Sequence, residues 1–598
     1  MSNEIKARSQ IAAADKWAIE DLYPSDEAWS AALPELDALA ARLPAFQGRI
    51  SQSADALLEY LRLNDEMTVL TDRLGSYAFL RQDEDTRDAA HQAMMGSLMK
   101  RFVAIEASLS FFLPELLSVD DARFEAFYAE KPELEVYRRY LTRLRRKKAH
   151  VLSPAEEKLL AAAGEMAQTP SESYKMFDNA DVKFQPAADS EGALHAITQG
   201  SYVSLLESQD RTLRRNAFEN YYASYDAYRN TVASMLAGQV KQLEFFANAR
   251  NYPASLDASL DETEVPTSVY RNLIEAVHQN MDKMHRYVRL RKKLLGVDEL
   301  HFYDIYAPLL SGMSRKIPFA EAKQTVEQAL HVMGEDYLKI LREGFENRWI
   351  DVYENEGKRS GAYSAGTRVH PYVLLNYTGT IDSEFTLAHE MGHAIHSYLS
   401  LKTQPVINSE YVIFVAEVAS TCNEALLMDY LLKKTTDKRE RAYLLNHFLE
   451  QFKSTLYRQT MFAEFELKIA ELNAQGVTLT ADALCKVYRE LNELYFGPDM
   501  VIDPQIALEW ARIPHFYRNY YVFQYATGYS AAIALSQRIL REGESAVRDY
   551  FGFLSGGCSK TPIELLKGAG VDMTTAQPVN DALALFGTLL DEMEELTR

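Results

Sequence analysis

Between residues 54 and 118 apolar side chains recur at a spacing of four: Leu57 with Leu61, Leu70 with Leu74, Leu98 with Phe102. With little Gly or Pro to interrupt it, that spacing predicts long amphipathic helices. Residues 321–343 and 438–475 carry the same pattern. Two start signals flank the middle of the chain. In Ser153-Pro154-Ala155-Glu156 the serine can cap, the proline takes the first helical position and the glutamate returns a bond from the third. Thr561-Pro562-Ile563-Glu564 repeats the device. Strand signals are few. Val182-Lys183-Phe184 and Leu194-His195-Ala196-Ile197-Thr198 flank a turn-rich stretch and predict a hairpin. Residues 349–353, 361–364 and 372–375 predict short strands joined by Gly and Lys/Arg turns. No internal repeat of roughly 20–50 residues marks a solenoid. The expectation is a mainly α chain with a small β element and a boundary near 179–200, dividing it into 1–199 and 200–598.

Length and charge narrow the classes. At 598 residues the chain exceeds one hydrophobic core, and 47% apolar with 25% charged residues is an ordinary globular balance. Lys and Arg number 64 against 85 Asp and Glu, a formal charge of −21. Such an acidic chain is a poor partner for nucleic acid or an anionic membrane. Its one dense basic run, Arg143-Leu144-Arg145-Arg146-Lys147-Lys148, reads as a solvated helix face. Three scattered cysteines, Cys422, Cys485 and Cys558, form neither a disulfide framework nor a zinc-finger spacing. With no apolar leader in the first residues and no run of about 18 apolar residues, the expected location is cytoplasmic.

The chemistry concentrates in Ala388-His389-Glu390-Met391-Gly392-His393. The surrounding Asp382–Ser400 stretch lacks proline, and its apolar residues nearly encircle a helical axis, which describes a buried helix with Asp382 as its cap. Two histidines four apart stand on one helix face and can converge on one ion, while Glu390 points beside them, able to touch water at the ion without ligating it. Two core histidines bonding carbonyls would also explain the pair. On a buried helix, however, two unpaired imidazoles and a carboxylate are costly, which favours the metal. A catalytic zinc needs a third protein ligand and one open position. His396 lies about 10 Å along the axis from His389 at about 1.5 Å per residue, so it reads as a supporting or substrate-contacting residue before a ligand. Glu417, a lone acid in the apolar run 414–421 and 28 residues after His389, is the better third ligand. Glu424, two turns further on, either accepts a bond from a ligating histidine or is a surface acid. Ser555-Gly556-Gly557 lacks the Lys-Ser/Thr of a phosphate loop and reads as a turn before a helix.

Taken together, 386–397 and 414–421, with Lys358–Ser364 ahead and Tyr520–Tyr529 behind, resemble the oligoendopeptidase F branch of the thimet oligopeptidase and neurolysin family of zinc metallopeptidases. Trp17 with Asp21-Leu22-Tyr23, and Ser555-Gly556-Gly557, extend the resemblance over nearly the whole chain. It implies a helical ellipsoid with a deep substrate channel, covered by an N-terminal helical domain (1–199), and a catalytic domain (200–598) with one zinc per chain. It implies short, unstructured peptide substrates, cut at internal bonds by water activated at zinc with Glu390 as general base. It also nominates His515, Tyr525 and Tyr529 to stabilise the oxyanion, although tyrosines at helical spacing are commonly core residues. Gly361-Ala362-Tyr363-Ser364 is either an edge strand for substrate or an internal strand. An exopeptidase such as a dipeptidyl carboxypeptidase, or a non-catalytic peptide-binding protein with a structural zinc, are the alternatives. A monomer and a dimer are equally compatible with the sequence.

Overall fold

The computed structural model describes residues 5–310 and 316–598, and helices dominate it, with seven short strands among the described residues. The start signals work as the sequence suggests. Ser153 accepts from the Glu156 N–H while Glu156 accepts from the Ser153 N–H at 3.0 Å, opening the helix Pro154–Ala167. Thr561 and Glu564 do the same for Pro562–Gly568. The long apolar pattern after residue 54 is broken into Ala54–Glu84, Ala89–Leu109 and Phe112–Ser118. Asp88 causes the first break, its carboxylate capping the N–H groups of Ala90 and His91 and so starting a new helix. The 438–475 stretch likewise divides, into Lys438–Gln451 and Arg458–Ala474 around a π-helical turn, Phe452–Tyr457. No single helix among the described residues is long and apolar enough to cross a membrane.

Two compact units emerge, each assembled from three separate stretches of chain. The first comprises Met1–Ala149, Arg315–Tyr430 and Leu535–Gly570. A hydrophobic core in it joins Trp17, Trp29, Leu57, Leu61, Leu74 and Tyr77 to Tyr372 and Leu374. Those last two residues belong to a three-stranded sheet in which Tyr372–Leu374 is central, parallel to Ile350–Asp351 and antiparallel to Tyr363–Ala365. Tyr363–Ala365 is therefore an edge strand. A lysine with a fully buried side chain locks the sheet: Lys358 pairs with Asp351 at 2.7 Å and donates to the carbonyls of Tyr353 and Leu375 at 2.7 and 2.5 Å. The helix Ile381–Thr403 packs on the two strands nearest the edge, so the small β element does lie beside the histidine motif.

The second unit comprises His150–Ser314, Leu431–Ala534 and Val571–Arg598. Its expected hairpin is displaced: Leu194–His195 pairs with Ala187–Ala188, not with Val182–Phe184. Val182 instead closes the π-helical turn that ends at Asp181, its N–H donating to the Phe177 carbonyl, which takes it out of register for a strand. The interior holds an ionic cluster in which Glu509 accepts from Arg458 at 2.5 Å, Arg512 at 2.8 Å and Tyr488 at 2.7 Å.

Candidate metal centre

The histidine helix runs Ile381–Thr403 and is capped by Thr380, whose hydroxyl accepts from the Ser383 N–H. Asp382 falls in the first helical turn, two residues after the threonine that serves as the cap. Apolar side chains on nearly all sides, from Phe385 through Met391 to Ile395, bury this helix. The imidazoles of His389 and His393 stand one turn apart, ring centroids 4.8 Å apart and nearly perpendicular.

The second helix, Ile413–Lys434, brings Glu417 to them. Glu417 Oε2 lies 3.4 Å from Nε2 of His389 and 3.6 Å from Nε2 of His393. This is the one cluster of metal-ligating side chains found among the described residues, its three ligand atoms all within 4.8 Å of one another. Tetrahedral donors about 2.0–2.1 Å from a zinc ion stand about 3.3 Å apart, so these separations suit that ion. The electrostatics agree. Burial alone would lower His389 and raise Glu417, yet their mutual bonds override it, holding the imidazole well above and the carboxyl well below their ordinary ranges. Donors that compete this strongly for a shared proton suit a cation in its place.

Two features explain why the helices meet here, and a third orients the Glu417 carboxylate within its own helix. Gly392 lies at their contact, where an added Cβ would sit 2.6 Å from Ser420 Cα and 2.7 Å from the Ala419 carbonyl oxygen. Asn423 donates to the Ala388 carbonyl at 3.1 Å and accepts from the Tyr337 hydroxyl at 2.8 Å. Ser420 Oγ donates to Glu417 Oε2 at 3.3 Å. Sequence reasoning missed Asn423 and Tyr337; the Gly inside the histidine motif was the available signal for a close helix contact.

Glu390 is 6% exposed, and its Oε2 is buried with no hydrogen-bond partner among the described residues. Burial pushes its carboxyl up, against the opposing pull of His389 and His393. Glu424 accepts from His389 Nδ1 at 2.5 Å. His396 is not in the cluster. Its ring stacks on Tyr411 at 3.8 Å and against Phe553 at 5.3 Å, and burial holds it neutral, down to about 3. The nominated oxyanion residues all lie in the second unit. His515, lowered by burial and by Arg518, sits 6.1 Å from the Tyr525 ring, and Tyr521 packs 5.3 Å from Tyr525. Tyr529 is buried with its ring edge-on to Phe452 at 5.0 Å.

Beside the histidine helix a cavity of about 350 Å³ is lined by Gly361, Ala362, Leu375, Asn376, Tyr377, Ser383 and Thr386. Thr386 is four residues before Glu390, on the same face of the helix.

Comparison with known proteins supplies the family. The model of peptidase family M3 matches residues 204–585, and that of oligopeptidase F matches residues 115–184. Oligopeptidase PepF of Bacillus subtilis (strain 168) is 44% identical over 596 residues, covering 100% of this chain and 89% of that protein. The oligoendopeptidase F homolog of Lactococcus lactis subsp. lactis (strain IL1403) is 39% identical over 99% of this chain and 98% of its own length. The crystal structure of oligoendopeptidase-F from Enterococcus faecium superposes with a TM-score of 0.75 at 38% identity, covering 96% of this chain and 99% of that one.

Proposed function

The chain belongs to peptidase family M3 and is an oligopeptide-hydrolysing metallopeptidase, and from that premise we propose that it is a zinc endopeptidase cutting internal bonds of short, unstructured peptides. One zinc per chain is assigned to His389, His393 and Glu417. The observation carrying the assignment is the pair of 3.4 and 3.6 Å separations between Glu417 Oε2 and the two imidazole nitrogens. When bound there, zinc supplies a Lewis acid that lowers the pKa of water and polarises a carbonyl.

The remaining steps fall to the protein's own groups. Glu390 is the general base: its buried, unpartnered Oε2 takes the proton of the attacking water and returns it to the leaving amine. The edge strand Tyr363–Ala365 offers backbone groups to an extended peptide, which grips many sequences alike. The adjoining cavity has room for one side chain of that peptide. The resemblance to the family nominates His515, Tyr525 and Tyr529 for the oxyanion. A helical domain over 1–199 and a catalytic domain over 200–598 are proposed, supported by separate family matches on either side of residue 199.

The test combines metal analysis with product mapping on an unstructured decapeptide blocked at both ends. One zinc per chain and internal cleavage are expected. Intact blocked peptide, with dipeptides released only from a free carboxyl end, would assign the chain to the exopeptidases instead.

A further inference from the structure

We propose that the turn Ser555–Cys558 is a positioning element of the metal centre, acting through Gly557 on the connector that joins the two ligand-bearing helices. This rests on the zinc assignment above. Residues 404–412 link the end of the histidine helix at Thr403 to the start of the glutamate helix at Ile413. Glu417 is only five residues into that second helix, so the path of the connector decides where its carboxylate stands.

The histidine helix itself holds one side of the connector. Ser400 Oγ donates to the Ser409 carbonyl at 2.6 Å, and Ser397 Oγ shares a 2.8 Å hydrogen bond with the Tyr411 hydroxyl. The Ser555–Cys558 turn holds the other. Gln404 Nε2 donates to the Ser555 carbonyl at 2.7 Å, and the Cys558 N–H donates to the Asn408 carbonyl at 2.8 Å. Between these two bonds Gly557 lies flush on the connector. It has φ +50°, and an added Cβ would stand 2.1 Å from the Asn408 carbonyl oxygen and 2.9 Å from Ser400 Oγ. The obstacle is backbone, so a side chain there has to displace Asn408, itself buried. Metal–ligand distances tolerate about ±0.2 Å, several times less than the shift such a clash demands. The helix Glu544–Leu554, which leads into the turn, also places Phe553 against His396, whose ring stacks on Tyr411 of the connector.

The experiment uses the full-length protein with Co²⁺ as a spectroscopic probe. Apo protein is titrated with Co²⁺ against a competing chelator, and the visible d–d bands report coordination geometry. Gly557→Ala is expected to lower Co²⁺ affinity about tenfold and to alter the bands while apo unfolding stays cooperative. Gln404→Leu is expected to lower affinity in the same direction by a smaller factor. Gly552→Ala is the control, since an added Cβ there meets nothing within 4 Å. A folded Gly557→Ala protein with wild-type affinity and spectrum would overturn the proposal. Should that variant not fold, wild-type Co²⁺ binding by Gln404→Leu would overturn it as well. Wild-type protein that takes up no Co²⁺ would instead refute the metal assignment, and this inference with it.

Discussion

Glu424 Oε1 sits 2.5 Å from Nδ1 of His389, on the side of the ring away from Glu417. A carboxylate only accepts, so Nδ1 donates to Glu424, and Nε2, facing Glu417 and His393, is the nitrogen left to exchange its shared proton for a metal. Glu424 therefore fixes both the tautomer and the ring orientation that a metal requires. Glu424→Ala is expected to weaken zinc binding by about 10- to 100-fold, read by competition with a chromophoric chelator. Unchanged affinity would reduce Glu424 to a bystander.

Glu390→Gln separates binding from chemistry. The amide keeps the size of the carboxylate but cannot accept the proton of water, so kcat is expected to fall by at least about 10²-fold. Zinc content and zinc affinity are expected to stay at wild-type values, because Glu390 stands outside the His389–His393–Glu417 cluster. A Glu390→Gln variant that still hydrolyses peptides at the wild-type rate would assign the base elsewhere.

Much of this centre was legible in the sequence because its logic is local. Helical spacing places His389 beside His393, and a lone acid in an apolar run, Glu417, needs a charged partner that a second helix can bring. The capping boxes at Ser153 and Thr561 were legible for the same reason, since all their atoms lie within four residues. What escaped was whatever depends on tertiary contact. Thr380 displaced Asp382 as the cap by a choice between two neighbouring side chains. Ala187–Ala188, with no β propensity to announce it, won the strand pairing from Val182–Phe184. Asn423, Tyr337 and the Ser555–Cys558 turn act through bonds spanning 35 to 151 residues, and no periodicity encodes those.

His515 and Tyr525 supply a prediction with a different signature. If they serve the oxyanion, Tyr525→Phe and His515→Asn lower kcat by about 10- to 1,000-fold and leave the zinc dissociation constant alone. Full activity in both variants would return the pair to an ordinary aromatic cluster.

Glu509 gives a pH test in the second unit. Burial alone would raise its carboxyl, but Arg458 and Arg512 outweigh it and hold it down at about 2, against about 4.3 in an unfolded chain. Between those values the unfolded state takes up the proton first, so the stabilisation, complete at neutral pH, drains away as pH falls from about 5 to 2. Glu509→Gln leaves the half-buried Arg458 and Arg512 without their carboxylate partner and is expected to cost about 3–5 kcal/mol at pH 7. The gap to wild type should narrow in urea unfolding at pH 3. A gap independent of pH would mean that the ionised carboxylate is not what stabilises this core.

Gly392 links packing to metal binding most directly. It lies between His389 and His393 in the sequence, and across from it stand Ala419 and Ser420, two and three residues beyond Glu417. The atoms that a Cβ would strike are the Ser420 Cα at 2.6 Å and the Ala419 carbonyl oxygen at 2.7 Å. Backbone cannot rotate away, so Gly392→Ala has to part the helices, at an overpacking cost of about 1–3 kcal/mol. That parting carries Glu417 away from His389 and His393, so the variant loses zinc affinity as well as stability. The two losses are separable because zinc stabilises only the folded state, in proportion to the logarithm of its concentration over Kd. Thermal unfolding of wild type and variant, each with and without zinc, is therefore expected to show a lower apo Tm for the variant and a smaller zinc-induced rise. A lower apo Tm with an undiminished rise would mean that the helices can separate without moving the carboxylate, and that Gly392 serves packing alone.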